Sequence, residues 1–79
     1  IDNFSPNGST SAFVLSNDIT VAAWLLGAIV SRNGQILKRV ASSPADDSEY
    51  TIASSGGSTT VTLGGNPSSG ELMQVSYYA

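Results

Sequence analysis

Three neighbouring acidic residues are the first candidates for chemistry in this sequence. Asp46, Asp47 and Glu49 place three carboxylates within four residues, and carboxylate oxygens are ligands that hard cations such as calcium prefer. A dedicated calcium loop spaces its ligands at alternate positions along a longer segment, and this stretch lacks that spacing. We therefore interpret the acidic stretch as a solvated turn and predict no metal site.

The groups required for acid–base or nucleophilic catalysis are scarce. The sequence contains no histidine and no cysteine, which removes the commonest general base and the thiol nucleophile. Serine is abundant, but a serine nucleophile needs a neighbouring base, and the basic side chains are confined to Arg32, Lys38 and Arg39. No phosphate-binding loop is recognisable, because Gly64-Gly65 does not follow a strand and open a helix. We predict a protein that is not an enzyme and needs no cofactor.

Aromatic side chains offer a different kind of chemistry, which is stacking on sugar rings. Trp24, Tyr77 and Tyr78 could serve in this way. The alternative is that Trp24 anchors a core or an interface and that Tyr77 belongs to the core. We favour this second interpretation.

Charge and hydropathy argue against two classes of partner. The net charge of −3 provides no broad basic field to neutralise phosphates, so we expect no nucleic-acid partner. The most apolar run, Ile19 to Val30, has 12 residues, whereas a helix that spans a bilayer needs about 20. We therefore expect a soluble chain with no membrane partner.

The element around which the chain is organised is a hairpin centred on Asn33-Gly34. A type I′ turn requires positive φ at both central residues, and Asn-Gly meets this requirement at the lowest steric cost. A two-residue loop then fixes the register. The predicted pairs are Arg32 with Gln35, Ser31 with Ile36, Val30 with Leu37 and Ile29 with Lys38.

Short alternating segments separated by turn residues predict an all-β fold. The expected architecture is a small antiparallel β-sandwich or flattened barrel with hairpin connections. The predicted strands are 12–16, 26–32, 35–41, 49–54, 59–63 and 71–78. We interpret residues 1–11 as an N-terminal arm or linker and residues 12–79 as a single β-sandwich domain. Residues 19–25 are interpreted as an edge strand or crossing segment, with a single helical turn as the alternative.

The apolar positions of these strands predict the core. Its expected members are Phe13, Leu15, Val30, Leu37, Tyr50, Ile52, Val61, Leu63, Met73, Val75 and Tyr77. A single core in a chain of 79 residues supplies little net stability, and there is no cysteine to add a disulfide. Association with copies of itself or with a larger assembly is the expected remaining support.

The apolar run contains more large side chains than one face of an edge strand can bury. A monomer that exposed them would present an apolar patch of a size that soluble monomers rarely tolerate. We therefore predict that the chain works through protein contacts made by the apolar run and the N-terminal arm. The predicted partner-binding residues are Ile1, Phe4, Ile19, Val21, Trp24 and Leu25.

The order of motifs resembles a small β-domain that recurs in virion proteins of tailed bacteriophages, including tail-fibre, baseplate and head-decoration proteins. The matching residues are the first strand Ser9-Thr10-Ser11-Ala12-Phe13-Val14-Leu15-Ser16, then Asn33-Gly34, Ile36-Leu37, Glu49-Tyr50-Thr51-Ile52, Thr60-Val61-Thr62-Leu63, Pro67, Gly70-Glu71 and Val75-Ser76-Tyr77. The resemblance covers residues 9–79. Two features depart from it: Glu71 stands where Asp is more usual, and residues 19–25 are more apolar than a typical connection.

The resemblance implies a function and a location. It implies a non-enzymatic structural protein of the virion that binds capsid or tail neighbours and stabilises the particle. Its partners would be other virion proteins and copies of itself, in a homo-oligomer such as a trimer. The alternative is a carbohydrate- or receptor-binding module of a phage fibre, which would use exposed aromatic side chains.

Overall fold

The computed structural model describes residues 1–78, so Ala79, the end of the predicted domain, lies outside the described residues. Over residues 1–78 the chain forms eight strands and one short helix. They are β1 (Asp2–Phe4), β2 (Ala12–Val14), α1 (Ala22–Leu26), β3 (Ile29–Arg32), β4 (Gln35–Ile36), β5 (Lys38–Arg39), β6 (Glu49–Ser55), β7 (Ser58–Leu63) and β8 (Met73–Ser76).

The strands form two four-stranded sheets within the described part of the chain. The first sheet has the order β1-β8-β3-β4, and the second sheet has the order β2-β7-β6-β5. Neighbouring strands are antiparallel, except that β5 runs parallel to β6. The prediction of a small all-β fold is confirmed.

The Asn33-Gly34 turn forms as predicted, with φ values of 52° and 82°. Ser31 pairs with Ile36 and Arg32 pairs with Gln35. The predicted pair of Ile29 with Lys38 is wrong, because the chain leaves the first sheet after Leu37 and Lys38 pairs with Glu49 of β6. Leu37 is buried at this crossing, so the predicted strand 35–41 is divided between the two sheets.

One buried cluster combines residues of both sheets. The predicted core residues belong to it except Tyr77, which is half-buried and packs against it. Ile19 and Ala28 are additional members. The cluster lies between the inward positions of the two sheets and is the common core of residues 1–78.

The apolar run forms a helix where a strand or crossing segment was the favoured interpretation. Ala22–Leu26 is α-helical and has no buried residues. Ala and Leu are among the strongest helix formers, and the amide of Trp24 closes the first turn with a hydrogen bond of 2.9 Å to the carbonyl of Val21. The following strand therefore begins at Ile29 rather than at Leu26. Within residues 1–78, no helix is long and apolar enough to cross a bilayer.

The N-terminal segment is part of the first sheet. Asp2, Asn3 and Phe4 pair with Val75, Gln74 and Met73 of β8, and the ring of Phe4 lies 5.3 Å from the ring of Phe13 between centroids. The interpretation of residues 1–11 as an arm is therefore wrong for Asp2–Phe4. The remaining predicted strands form with shifted ends. The strands predicted at 12–16, 49–54, 59–63 and 71–78 are observed at 12–14, 49–55, 58–63 and 73–76.

Candidate interaction surface

The first sheet has one face that the core does not cover. Val30, Met73 and Val75 are fully buried, so their neighbours along β3 and β8 point away from the core. Cross-strand pairing brings these neighbours together, and Leu72 and Tyr78 flank β8 at positions of the same alternation. We call this surface the outer face; it comprises Asn3, Ile29, Ser31, Ile36, Leu72, Gln74, Ser76 and Tyr78.

Helix α1 adds aromatic surface at one end of the outer face. The ring of Trp24 lies 6.2 Å from the ring of Tyr78 between centroids, with 51° between the ring planes. Both side chains remain accessible, at 38% and 74% of their full exposure. Beside them is a pocket of about 300 Å³ lined by Gly27, Ile29, Ser76, Tyr77 and Tyr78.

The outer face is uncharged over the part of the chain that the structure describes. Alternation sends Arg32 of β3, and Glu71 just before β8, to the opposite side. There Arg32 forms ion pairs with Asp47, at 2.6 Å from Nη1 to Oδ2, and with Glu71, at 3.2 Å from Nε to Oε2. The guanidinium also donates a hydrogen bond of 2.9 Å to the backbone carbonyl of Asp47. These three charged groups are thus paired with one another at the end of the sheet and lie off the outer face.

The six residues predicted to bind partners are found in three environments. Ile1, Val21 and Trp24 are exposed, and Trp24 contacts the outer face through Tyr78. Phe4 and Leu25 are partly buried against the core. Ile19 is 1% exposed and is held in the core, because its amide donates a hydrogen bond of 2.8 Å to the hydroxyl of Thr59. Its assignment to the surface is therefore wrong.

The predicted partner-binding residues do not include those of the outer face. Ile29, Ile36 and Leu72 are exposed apolar residues, and Leu26 of α1 is 62% exposed. The signal was present in the alternation, since Leu72, Gln74, Ser76 and Tyr78 occupy every second position of the last segment. The apolar surplus of residues 19–26 gives a stronger signal in the sequence than this alternation, although part of that run is a short helix beside the outer face.

The carboxylates form hydrogen bonds within the chain. A hydrogen bond from the hydroxyl of Ser48, and to a smaller extent one from its amide, holds the pKa of Asp46 below its ordinary value. Glu49 accepts a hydrogen bond of 2.8 Å from the amide of Ala45. The hydroxyls of Ser54 and then Thr59 lower the pKa of Asp18. Among residues 1–78, no group of three or more His, Cys, Asp or Glu side chains is placed to hold a metal ion.

Tyr50 shows the opposite behaviour to these acids. Burial raises the pKa of its phenol above the ordinary value, and the hydroxyl donates a hydrogen bond of 3.3 Å to the carbonyl of Ala28. This phenol therefore stays neutral, and its hydrogen bond connects the second sheet to the start of β3.

Comparisons of the chain with family models, curated proteins and solved structures found no match.

Proposed function

We propose that this chain is a non-enzymatic structural protein of a tailed-bacteriophage virion, where it binds neighbouring capsid or tail proteins and stabilises the particle. The observation that carries the protein-contact part is the uncharged, partly apolar outer face with the Trp24–Tyr78 pair at its end. The virion location is supported by the motif resemblance in residues 9–79. The proposal includes association with copies of the same chain.

The energetic case rests on the cost of leaving the outer face in water. Ile36 and Tyr78 are more than two-thirds exposed, and each apolar square ångström removed from water contributes about 25 cal/mol. A partner that covers the outer face has no ion pair to break and no charge to desolvate there. Such a surface favours protein contact over free exposure.

The carboxylates support a non-enzymatic role. A general acid or base works best with a pKa near the working pH. The hydrogen bonds to Asp2, Asp18 and Asp46 lower the pKa of each carboxyl group, which moves it further from neutral pH. These side chains act as acceptors that connect neighbouring segments.

The test is the location of the chain in intact particles. Particles released from cells that carry the gene are banded on a density gradient, and peptides of this chain are quantified by mass spectrometry against the major capsid protein. We expect the chain to band with the particles at a fixed ratio. A chain that stays in the unbanded protein fraction would contradict the proposal.

A substitution on the surface gives the same test a matched control. Trp24→Ser removes an exposed aromatic side chain from the end of the outer face, and we expect it to reduce incorporation into particles. Val14→Ser removes an exposed apolar side chain from β2 of the second sheet and should leave incorporation unchanged.

A second candidate function is carbohydrate or receptor binding. The observation that favours it is the exposed Trp24–Tyr78 pair beside a pocket of about 300 Å³, because aromatic faces stack on sugar rings. Immunogold labelling of particles separates the candidates. A distal fibre tip supports this second function, whereas a repeating position on the shell or tail tube supports the structural one.

A further inference from the structure

Two Asn-Gly pairs occur in the chain, Asn7-Gly8 and Asn33-Gly34. We propose that the fold gives them different fates: Asn7 is a site of spontaneous deamidation in the folded chain, whereas Asn33 is protected until the turn around it opens. The reactant is water, and the modification is independent of the proposed virion role.

Deamidation of an Asn-Gly pair needs no enzyme. The backbone nitrogen of the glycine attacks Cγ of the asparagine and transfers its proton as the bond from Cγ to Nδ2 breaks, so that ammonia leaves and a five-membered imide forms. Water then opens the imide at either carbonyl and leaves aspartate or isoaspartate. Glycine favours this ring closure because it has no side chain to hinder it. The two pairs therefore have similar reactivity in an unfolded chain, and a difference between them has to come from the fold.

The side-chain amide of Asn33 is bound at both of its polar atoms. Its Oδ1 accepts a hydrogen bond of 2.9 Å from the amide of Leu72, and its Nδ2 donates one of 3.2 Å to Oε2 of Glu71. The backbone amide of Asn33 donates a further hydrogen bond of 2.8 Å to the carbonyl of Leu72. Loss of Nδ2 as ammonia breaks the bond to Glu71, and turning Cγ towards the Gly34 nitrogen draws Oδ1 away from Leu72. Reaction at Asn33 therefore requires the turn to separate from residues 71–72.

The partner of Asn33 is itself held by other groups. Oε2 of Glu71 lies 3.2 Å from Nε of Arg32, and Oε1 accepts a hydrogen bond of 2.7 Å from the amide of Ser68. The pairing of Arg32 with Gln35 closes the turn on its other side. Local opening costs more free energy when more interactions must break together. The turn around Asn33 should therefore open rarely.

The side chain of Asn7 is bound within its own loop. Its Oδ1 accepts a hydrogen bond of 2.8 Å from the amide of Ser9, two residues further on. Among the hydrogen bonds of residues 1–78, the one that ties this pair to a distant segment is that from the amide of Gly8 to the carbonyl of Pro67, at 3.1 Å. Asn7 and Gly8 are exposed and lie between β1 and β2 rather than in a strand. This loop can open without breaking a strand pair, so Asn7 should reach the reactive geometry more often than Asn33.

The products of the two reactions also differ in their consequences. Deamidation of Asn33 replaces the donor Nδ2 with a carboxylate oxygen opposite Oε2 of Glu71, and the two negative charges repel one another. At Asn7, an aspartate can still accept the hydrogen bond from Ser9, because Asp and Asn suit this kind of turn equally. Protection therefore lies at the pair whose modification would weaken the junction between β3 and the segment before β8.

The experiment ages the purified natural chain in mildly alkaline buffer and follows both residues by mass spectrometry. Trypsin cleaves after Arg32 and Lys38, so Asn33 is carried by peptide 33–38 and Asn7 by peptide 1–32, in which fragment spectra locate the modified residue. An unaged sample corrects for deamidation during digestion. We expect Asn7 to deamidate at least about tenfold faster than Asn33, which corresponds to a difference in opening free energy of about 1.4 kcal/mol. A smaller ratio, or faster reaction at Asn33, would show the inference to be wrong.

The same ageing in guanidinium chloride separates the effect of the fold from that of the flanking residues. We expect the ratio of the two rates to fall to near unity once the chain is unfolded. If the ratio found for the folded chain persists in the denaturant, the local sequence causes the difference and the inference is overturned.

Two matched substitutions test the hydrogen bond to Glu71. Glu71→Ala removes the acceptor of Asn33 and one ionic partner of Arg32, whereas Asp47→Ala removes the other ionic partner and leaves Asn33 bound. Circular dichroism checks that each variant is folded, and the rate at Asn7 in the same sample corrects for general loosening. Relative to Asn7, we expect Glu71→Ala to raise the rate at Asn33 by about threefold or more, as befits the loss of one hydrogen bond. Asp47→Ala should leave that relative rate unchanged, and equal effects of the two substitutions would contradict the assigned protection.

Discussion

The hydroxyl of Tyr77 donates a hydrogen bond of 2.5 Å to the carboxylate of Asp2, although the two residues are 75 positions apart. The same carboxylate accepts hydrogen bonds from the hydroxyl of Ser16 at 2.6 Å and from its amide at 2.8 Å. One side chain thus joins β1, the segment after β2 and the residue that follows β8. It explains why the first strand stays on the sheet with only three paired residues.

This cluster predicts that acid destabilises the fold. The hydrogen bonds from Ser16 and then Tyr77 hold the pKa of Asp2 below its ordinary value of 3.8, and Asp18 and Asp46 are shifted in the same direction. A carboxyl group whose pKa is lowered in the folded state stabilises the fold fully above the unfolded pKa. That stability is lost as the pH falls through the folded pKa. We therefore expect the urea midpoint to be constant near neutral pH and to fall below about pH 4.

The contribution of Asp2 can be isolated by substitution. Asp2→Asn removes the ionisable group, so the variant should be less stable at pH 7 and should lose less stability on acidification than the natural chain. Asp47→Asn changes a carboxylate that pairs with Arg32 instead and serves as the comparison. An Asp2→Asn chain with the same acid dependence as the natural chain would contradict the role assigned to the cluster.

The core position of Val75 predicts a loss of stability on truncation. Val75 is fully buried in the central strand β8, so Val75→Ala should lower the free energy of unfolding by about 1–3 kcal/mol through lost burial and a small cavity. Val14→Ala makes the same change at a position that is 57% exposed, and should cost no more than about 0.5 kcal/mol. Urea denaturation of both variants gives the comparison, and equal losses would refute the assignment of Val75 to the core.

Thr59 is a buried polar residue whose hydroxyl has two partners. It donates a hydrogen bond of 2.8 Å to Asp18 and accepts one of 2.8 Å from the amide of Ile19. Thr59→Val keeps the shape but leaves the buried amide without an acceptor, so we expect a loss of about 1–3 kcal/mol. Thr59→Ser retains the hydroxyl and should lose less. The prediction fails if thermal or urea unfolding shows the Thr59→Val chain to be as stable as the Thr59→Ser chain.

Gly64 is required by the close approach of another backbone. A Cβ atom on this residue would lie 2.6 Å from the amide nitrogen of Asp46 and would also overlap the carbonyl of Pro44. Gly64→Ala should therefore displace the acidic turn and cost about 1–3 kcal/mol. At Gly27 the nearest atom to such a Cβ lies 3.7 Å away, so Gly27→Ala should change stability by no more than about 0.5 kcal/mol. Unfolding curves for the two alanine variants test this difference.

The sequence predicts the parts of the fold that depend on local rules. Asn33-Gly34 specifies its turn because few other residue pairs accept positive φ twice, and Val61 and Val75 follow from alternation with period two. Asp2–Phe4 could not be predicted in this way, because a three-residue strand carries almost no periodicity. Its position depends on partners that are distant in the sequence, which are Ser16 and Val75 for Asp2 and Met73 for Phe4.

The surface was harder to predict than the core. Ile19 and Trp24 belong to the same apolar run, yet Ile19 is buried and Trp24 is accessible. What separates them is the hydrogen bond from Ile19 to Thr59, 40 residues away. The division of the strand at Leu37 also depends on a distant partner, since β5 pairs with β6 rather than continuing the hairpin.

The position of β8 in the first sheet determines when that sheet can form. β8 lies between β1 and β3, so β1 has no neighbour in the sheet until residues 73–76 have been synthesised. The hairpin of β6 and β7, by contrast, joins strands that follow one another directly along the chain. Contacts between distant positions form slowly because a long loop must close first. On the ribosome, a nascent chain that ends before Met73 therefore cannot complete the first sheet, and Asp2–Phe4 stays without a strand partner until the last strand has emerged.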